Sequence, residues 1–276
     1  MVLANVTVEW YLVDQYLYSL LWERRMSYYS SGKSKLLKDF DVTADLVRDF
    51  LIHRYDREFT DTLYREARQE YENVIAEIPH IKDVRARALN SFLLITAQEL
   101  ALYKAMKRHG KEPGEVWEIC HEAIKRRMKR FSNIKRWLLK RLMYSSFLTR
   151  RVKKRALKQE PLKFGDFELR YVLGDGIEFD WGVDYVACGN YNYVKAQGAE
   201  EFAPYVCMSD IALSDALGWG LIRTQTIADG CESCDFRFKK GSDTKISSKS
   251  PEVQATIQRI EKKGVSSNGN DCLEIQ

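Results

Sequence analysis

The chain has 276 residues, a formal net charge of +5 and 45% hydrophobic residues, a composition typical of a soluble globular protein. Six scattered cysteines argue against a disulfide-dense secreted scaffold. The apolar stretch 2–22 is interrupted by Glu9 and Asp14 and has no preceding basic residue, which argues against a signal peptide or a membrane-spanning helix. We therefore expect reduced thiols and a cytoplasmic location.

The first half of the chain predicts helices. Apolar residues recur at helical spacing over 42–78, and Pro79 ends that pattern. A second helix is predicted over about 84–110, and Pro113 opens a third. Cys120 lies on the apolar face of the third helix, so we interpret it as a packing residue.

A basic segment follows these helices. Residues 123–159 contain no acidic residue, and their many Lys and Arg residues are interleaved with apolar ones. Such a segment can bind a nucleic acid, an anionic membrane or an acidic partner. We interpret it as structural, with Trp137, Leu138 and Leu142 packing against the other helices and the charges facing solvent. We accordingly expect neither a nucleic-acid nor a membrane partner.

After Pro161 the apolar pattern changes to a period of two, which predicts strands. Residues 167–173 and 177–185 alternate on either side of a Gly-Asp-Gly turn and predict a hairpin. Two further strands are predicted over 221–228 and 234–240, with short helices between the hairpin and these strands. The predicted fold class is α+β, with a helical N-terminal region followed by an antiparallel sheet and short helices, of the small-molecule-binding type. The predicted units are a helical region (1–160), the α+β unit (161–241) and a flexible tail with at most one short helix after Pro251 (242–276).

Four cysteines fall in or beside the predicted sheet, and their role is open from the residues alone. Cys231 and Cys234 have the spacing of half a tetrahedral zinc site, which Cys188 and Cys207 would have to complete. A redox dithiol normally precedes a helix, whereas a strand follows here. Cys188 lies at a strand-to-helix junction, the best place for a nucleophile, and Cys207 and Cys234 suit buried packing equally well.

No histidine follows His121, so a catalytic base in the α+β unit must be a carboxylate, a tyrosine or a thiolate. The carboxylates of that unit which we single out are Asp184, Asp210, Asp229 and Asp235. Arg223 and Arg237 are the candidate anion-binding residues.

Several stretches resemble the L-2-amino-thiazoline-4-carboxylic acid hydrolase family. They are FDWGVDYVACGNY, FAPYVCMSDIALSDALGWGLIRTQTIADG and CDFRFKKG, together with IPHIKDVRARALNSFLLITAQELALYKAMKRHGKEPGEVWEI in the helical region. The resemblance implies a hydrolase that opens a cyclic isothiourea, the 2-amino-thiazoline ring. The positions that match the family pattern are Cys188, Cys207, Asp210, Cys234, Asp235 and Arg237. The chain departs from it at Ala187, where the family commonly has an acidic residue, and Cys231 is not a fixed part of the pattern.

These observations lead to one set of expected site residues. We expect Cys188, Asp210 and Cys207 to be catalytic, and no metal or other cofactor to be needed, with zinc as the alternative. We expect the substrate to be bound by Asp184, Asn190, Arg223, Cys234 and Arg237.

Two other classes of function remain open. The end of the α+β unit, a glycine turn followed by Cys-x-Phe, also resembles vinyl-reductase-type domains. This resemblance favours a non-catalytic module that binds a small molecule or a metal. An interaction protein that uses the basic helices is the third class. The expected partner is a small-molecule substrate, and the sequence leaves a homo-oligomer open.

Overall fold

A computed structural model describes residues 32–269 of the chain, with side chains as far as residue 260. The apolar stretch 2–22, for which the sequence predicts no membrane-spanning helix, lies outside the described residues. Within the described range, no helix is both long and apolar enough to cross a lipid bilayer.

The N-terminal half is helical, as predicted. The described range begins with α1 (Lys33–Arg54), α2 (Arg57–Val74), α3 (Arg87–Arg108) and α4 (Pro113–Lys129). The prediction of one helix over 42–78 is wrong, because the Asp56 side chain accepts a hydrogen bond from the Phe59 backbone N–H at 2.7 Å and starts a new helix, α2. Pro113 opens α4 as predicted. Proline is tolerated at this position because the backbone N–H groups of the first helical turn have no partner within the helix.

A mixed sheet fills the second half of the chain. Its strands are β1 (Leu162–Phe164), β2 (Phe167–Leu173), β3 (Trp181–Ala187), β4 (Leu221–Arg223), β5 (Cys234–Phe238) and β6 (Lys245–Ile246). The strand order is β1-β2-β3-β5-β4-β6, and neighbouring strands are antiparallel except for the parallel pair β4–β6. The α+β fold class is confirmed, with one parallel pair in a sheet that was predicted to be antiparallel throughout.

Two strand boundaries differ from the prediction because polar side chains cap turns there. The second strand of the hairpin begins only at Trp181, since the Asp175 carboxylate accepts hydrogen bonds from the backbone N–H groups of Ile177 and Glu178 and holds them in the turn. Strand β4 ends at Arg223, because Thr226 caps a short 3-10 turn.

The remaining helices are α5 (Asn133–Met143), α6 (Ser146–Lys158), α7 (Gly189–Ala196), α8 (Ala203–Val206), α9 (Ser209–Leu217) and α10 (Pro251–Gly269). The segment after Ser242 differs from the predicted flexible tail. It supplies β6, which pairs with β4, and α10, which buries Val253 and Ile257 in the main hydrophobic core. The apolar spacing of these two residues, one helical turn apart, explains why the segment returns to the core.

The basic segment forms α5 and α6, but the prediction that Trp137 packs into the core is wrong. Trp137 is 58% exposed, whereas Leu139 is only 2% exposed and packs with Leu213 and Leu217 of α9. Leu138 and Leu142 are half-buried. On α6, Val152 is fully buried against the sheet. The segment is therefore packed into the fold, on a different helical face from the one predicted.

Candidate active site

The strand register determines which side chains face the helices. Tyr185 on β3 lies opposite Cys234 on β5, and Val183 lies opposite Phe236. Because side chains alternate along a strand, Cys234 shares a face with Tyr185. Cys234 is buried on this face, and Tyr185 packs against the main core.

Cys188 stands where β3 gives way to α7. It is the N-cap residue of α7, and the backbone N–H groups of Asn190 and Tyr191 lie near its thiol, although the thiol makes no capping hydrogen bond to them. Burial raises the pKa of this thiol, and the two N–H groups offset part of that rise because they stabilise the thiolate. Cys188 is half-buried. It therefore rests as a thiol, with an anion-stabilising helix terminus already in place.

Two further thiols lie beside Cys188. The Cys234 sulfur accepts a hydrogen bond from the Ile227 backbone N–H at 3.2 Å, and burial raises the pKa of Cys234 to about 12. Burial also raises the pKa of Cys207, which follows α8, and the nearby Cys234 and Cys188 raise it further. The structure thus brings all three thiols together, each in its neutral form.

A buried ion pair adjoins the thiols. Arg223 at the end of β4 is only 2% exposed, and its Nη1 donates to the Cys207 carbonyl oxygen at 2.7 Å and to the Asp210 carboxylate. Its Nε is buried and has no partner among the described residues. Burial raises the pKa of Asp210, and the Arg223 guanidinium opposes that rise. An arginine N–H is therefore left over for a ligand in a site that already contains a carboxylate.

The structure separates two expected substrate-binding residues from this cluster. Asp184 and Arg237 form an ion pair with each other at 2.7 Å. They alternate with Val183 and Phe236 along their strands, so they lie on the opposite face of the sheet. Asp235, on that same face, accepts hydrogen bonds from the backbone N–H groups that follow β4 and fixes the turn there.

Asn190 does lie at the cluster, in the first turn of α7. Its side-chain Oδ1 is buried and has no hydrogen-bond partner among the described residues. The expected site residues that the structure brings together are Cys188, Asn190, Cys207, Asp210, Arg223 and Cys234.

The zinc alternative requires several ligating side chains around one point and stays untested. Within the described part of the chain, no group of three or more His, Cys, Asp or Glu side chains is placed to hold a metal ion. Cys231 lies on the turn before β5 and is half-buried.

Glu99 is a residue that the sequence reasoning missed. It is 5% exposed, and its Oε1 accepts a hydrogen bond from the Ser209 hydroxyl at 2.5 Å. Burial, with a smaller contribution from the nearby Asp210, raises the pKa of Glu99 to about 8, although the Ser209 hydrogen bond opposes the rise. The signal was present in the sequence, because Glu99 lies three residues after Thr96 and four before Tyr103, on the apolar stripe of its helix.

Comparison with known proteins decides the family. The family model for L-2-amino-thiazoline-4-carboxylic acid hydrolases matches residues 91–238, more than half of the chain. The chain belongs to this hydrolase family. The match runs from α3 to the end of β5 and contains every residue of the cysteine cluster. No curated protein and no solved structure gave a significant match.

Proposed function

We propose that the chain hydrolyses a small cyclic isothiourea of the 2-amino-thiazoline-4-carboxylate type at the cluster around Cys188. The observation that carries this proposal is the buried Arg223–Asp210 pair beside three thiols, in a chain of this hydrolase family. Such a substrate has a carboxylate at one end and an amidine-like group at the other, so it needs a cation and an anion held close together.

Arg223 and Asp210 supply these two charges. The unpartnered Nε–H of Arg223 suits the substrate carboxylate, and the Asp210 carboxylate suits the nitrogens of the ring. Asp184 and Arg237 have no part in this proposal, since they pair with each other on the opposite face of the sheet. Asn190, with its free Oδ1, would accept a further hydrogen bond from a ring nitrogen.

Cys188 is the proposed nucleophile. Asp210, whose charge affects the Cys188 thiol, takes its proton, and the backbone N–H groups of Asn190 and Tyr191 stabilise the thiolate. The thiolate adds to the ring carbon that bears the exocyclic nitrogen, and the bond from that carbon to the ring sulfur breaks. The ring sulfur takes up the proton from Asp210. Water then displaces Cys188 from the enzyme-bound isothiourea, which leaves a carbamoyl group on the ring nitrogen and regenerates the thiol, with one water consumed.

A paired substitution tests this assignment. With 2-amino-thiazoline-4-carboxylate as substrate, we expect the wild-type chain to release one free thiol for each ring opened. We expect Cys188→Ser to lower kcat by about 100-fold or more, because a serine hydroxyl at this position has no base strong enough to ionise it. Cys231→Ser, on the turn outside the cluster, is the matched control and should retain full turnover. Full turnover by Cys188→Ser would remove the thiol from the mechanism.

A non-catalytic binding module is the second candidate, and Ala187 favours it. Ala187, directly before Cys188, has a methyl side chain at a position where family members commonly have a carboxylate. If that carboxylate is needed to activate water, this chain binds its ligand without opening it. Calorimetry separates the two functions, since saturable binding of the ring compound without thiol release would indicate the module.

A further inference from the structure

A cavity lies among the N-terminal helices, and its wall contains none of the three clustered cysteines. Its volume is about 110 Å³, and α1 to α4 supply most of its wall. The wall is mainly apolar and includes Leu51, Leu63, Ala67, Leu102, Ile119 and Ala123. Asp45, an exposed residue, also borders it, so the cavity reaches the surface of the protein.

Most polar groups in this wall already have partners. Arg127 Nη2 donates to Asp39 at 2.8 Å, and its Nη1 donates to the Thr43 hydroxyl at 2.8 Å. Gln98 donates to Asp39 at 3.1 Å.

Glu99, also part of the wall, differs from them. Ser209 satisfies its Oε1, but its Oε2 is buried and has no hydrogen-bond partner among the described residues. A buried polar atom without a partner is rare in a native fold and marks a place where a further molecule completes the hydrogen bonding.

We propose that this cavity is a binding site for a small, largely apolar molecule that carries one hydrogen-bond acceptor, which Glu99 meets through Oε2. The volume suits such a molecule, since an engineered apolar cavity of about 150 Å³ binds benzene. A mainly apolar wall with a few polar groups at fixed points is usual for a small-molecule site, and here Glu99 Oε2 is the polar atom left without a partner among the described residues.

The protonation of Glu99 indicates an acceptor and not a cation. Asp210 on α9 and the Cys120 thiol on α4 interact with Glu99, whereas the two arginines of the cavity wall, Arg48 and Arg127, are paired with Asp61 and Asp39. Burial and the Asp210 carboxylate raise the pKa of Glu99 to about 8, although the hydrogen bond from Ser209 opposes the rise. At neutral pH the carboxyl group is therefore protonated, and Oε2 has a hydrogen to donate.

Two probes of one shape test the site on the full chain. Cyclohexanone carries a carbonyl oxygen, and methylenecyclohexane replaces that oxygen with a CH₂ group. At pH 6 we expect saturable binding of both by chemical-shift titration, with cyclohexanone about tenfold tighter. Because the protonated carboxyl group is the donor, this preference should fall as the pH rises above 8.

Three variants assign the effect to the cavity. Glu99→Leu should remove the preference for cyclohexanone, and Glu99→Gln should keep it through its carboxamide N–H but without the pH dependence. Ala123→Met should fill the space and abolish binding of both probes. Equal affinity for the two probes, tighter binding of cyclohexylammonium, or no saturable binding by the wild-type chain would each overturn the proposal. The wild-type titrations alone decide it should a variant fail to fold.

Discussion

Arg223 makes structural hydrogen bonds and also has a buried Nε without a partner among the described residues. Its Nη1 ties the Asp210 carboxylate to the Cys207 carbonyl oxygen, while its guanidinium lies 5.4 Å from the centre of the Phe236 ring. A buried charge is tolerated in a protein only when it is paired and hydrogen-bonded. The fold therefore depends on this pair of residues, which in the proposed function also binds the substrate.

Removing one partner of this pair should destabilise the fold. Arg223→Met leaves Asp210 buried without its cation, so we expect the free energy of unfolding to fall by about 3 kcal/mol in urea denaturation. Adding Asp210→Asn removes the uncompensated charge, and the double variant should be more stable than Arg223→Met alone. If the two losses of unfolding free energy in Arg223→Met and Asp210→Asn instead add up in the double variant, relative to wild type, the two residues act independently.

Glu99 should make stability depend on pH. Its pKa is about 8 in the folded chain and that of an ordinary glutamate in the unfolded chain, so the fold binds a proton that the unfolded chain has released. This contribution is fully present below about pH 4.5 and is lost as the pH rises through 8. We expect the difference in unfolding free energy between wild type and Glu99→Gln to decline from pH 5 to pH 8.5. Parallel pH profiles for the two proteins would contradict the burial of a protonated carboxyl group.

Individual site residues were predictable to different degrees. Cys188 was placed correctly, because a period-two pattern that ends before a helix defines a junction without knowledge of the fold. Asp184 and Arg237 were grouped with the cysteines, since a sequence shows that residues alternate but not which face of the sheet meets the helices. That choice is made by the register of β3 against β5 and by the helices packed on one side.

At the scale of the element, one glycine positions Cys188, the proposed nucleophile. A Cβ atom added at Gly189 would lie 2.4 Å from the Phe167 ring, closer than any side-chain packing allows. Helix α7 can therefore start directly against β2 only because its first residue has no side chain. This contact sets where the N-terminus of α7, and with it Cys188, meets the sheet.

Gly189→Ala should accordingly impair the site more than the fold. The new methyl group forces α7 away from Phe167 and displaces the N–H groups that lie near the Cys188 sulfur, so we expect a reduction of kcat of about tenfold or more with a native circular dichroism spectrum. Asn192→Ala, on the exposed side of α7, is the control and should leave turnover unchanged. Adding Phe167→Ala makes room for the methyl group and should recover part of the lost activity. No recovery would mean that the contact does not position Cys188.

The basic helices show why helix existence is easier to predict than helix rotation. Helix α5 carries apolar residues at Ile134, Trp137, Leu138, Leu139 and Leu142, which together cover more than one face. Such a pattern fixes a helix but not the side that meets the core. Leu139 meets α9, and Ile134 and Trp137 remain exposed. The expectation that this segment binds neither nucleic acid nor membrane stays a prediction.

At the scale of the whole molecule, the main core crosses the boundaries predicted from composition. It joins Leu63 of α2, Leu93 of α3, Phe202 before α8 and Ile257 of α10. The family match ends at residue 238, so α10 lies outside it, as do α1 and α2. The segment after Ser242 is polar and rich in serine and lysine, which predicts a tail. Its few apolar residues, Val253 and Ile257 among them, are enough to anchor a helix in the core.

If α10 is part of the cooperative fold, the stability of the whole chain depends on its buried residue Ile257. Ile257 is 2% exposed in the main core, so Ile257→Ala should lower the free energy of unfolding of the whole chain by about 3 kcal/mol, through lost burial and the cavity left behind. Gln258→Ala changes the adjacent, exposed position of the same helix and should have almost no effect. Both are measured by urea denaturation followed by tryptophan fluorescence and by far-ultraviolet circular dichroism. A segment that behaves as a tail would leave the main transition unchanged in both variants, whereas a shared core requires that Ile257→Ala shift both signals together.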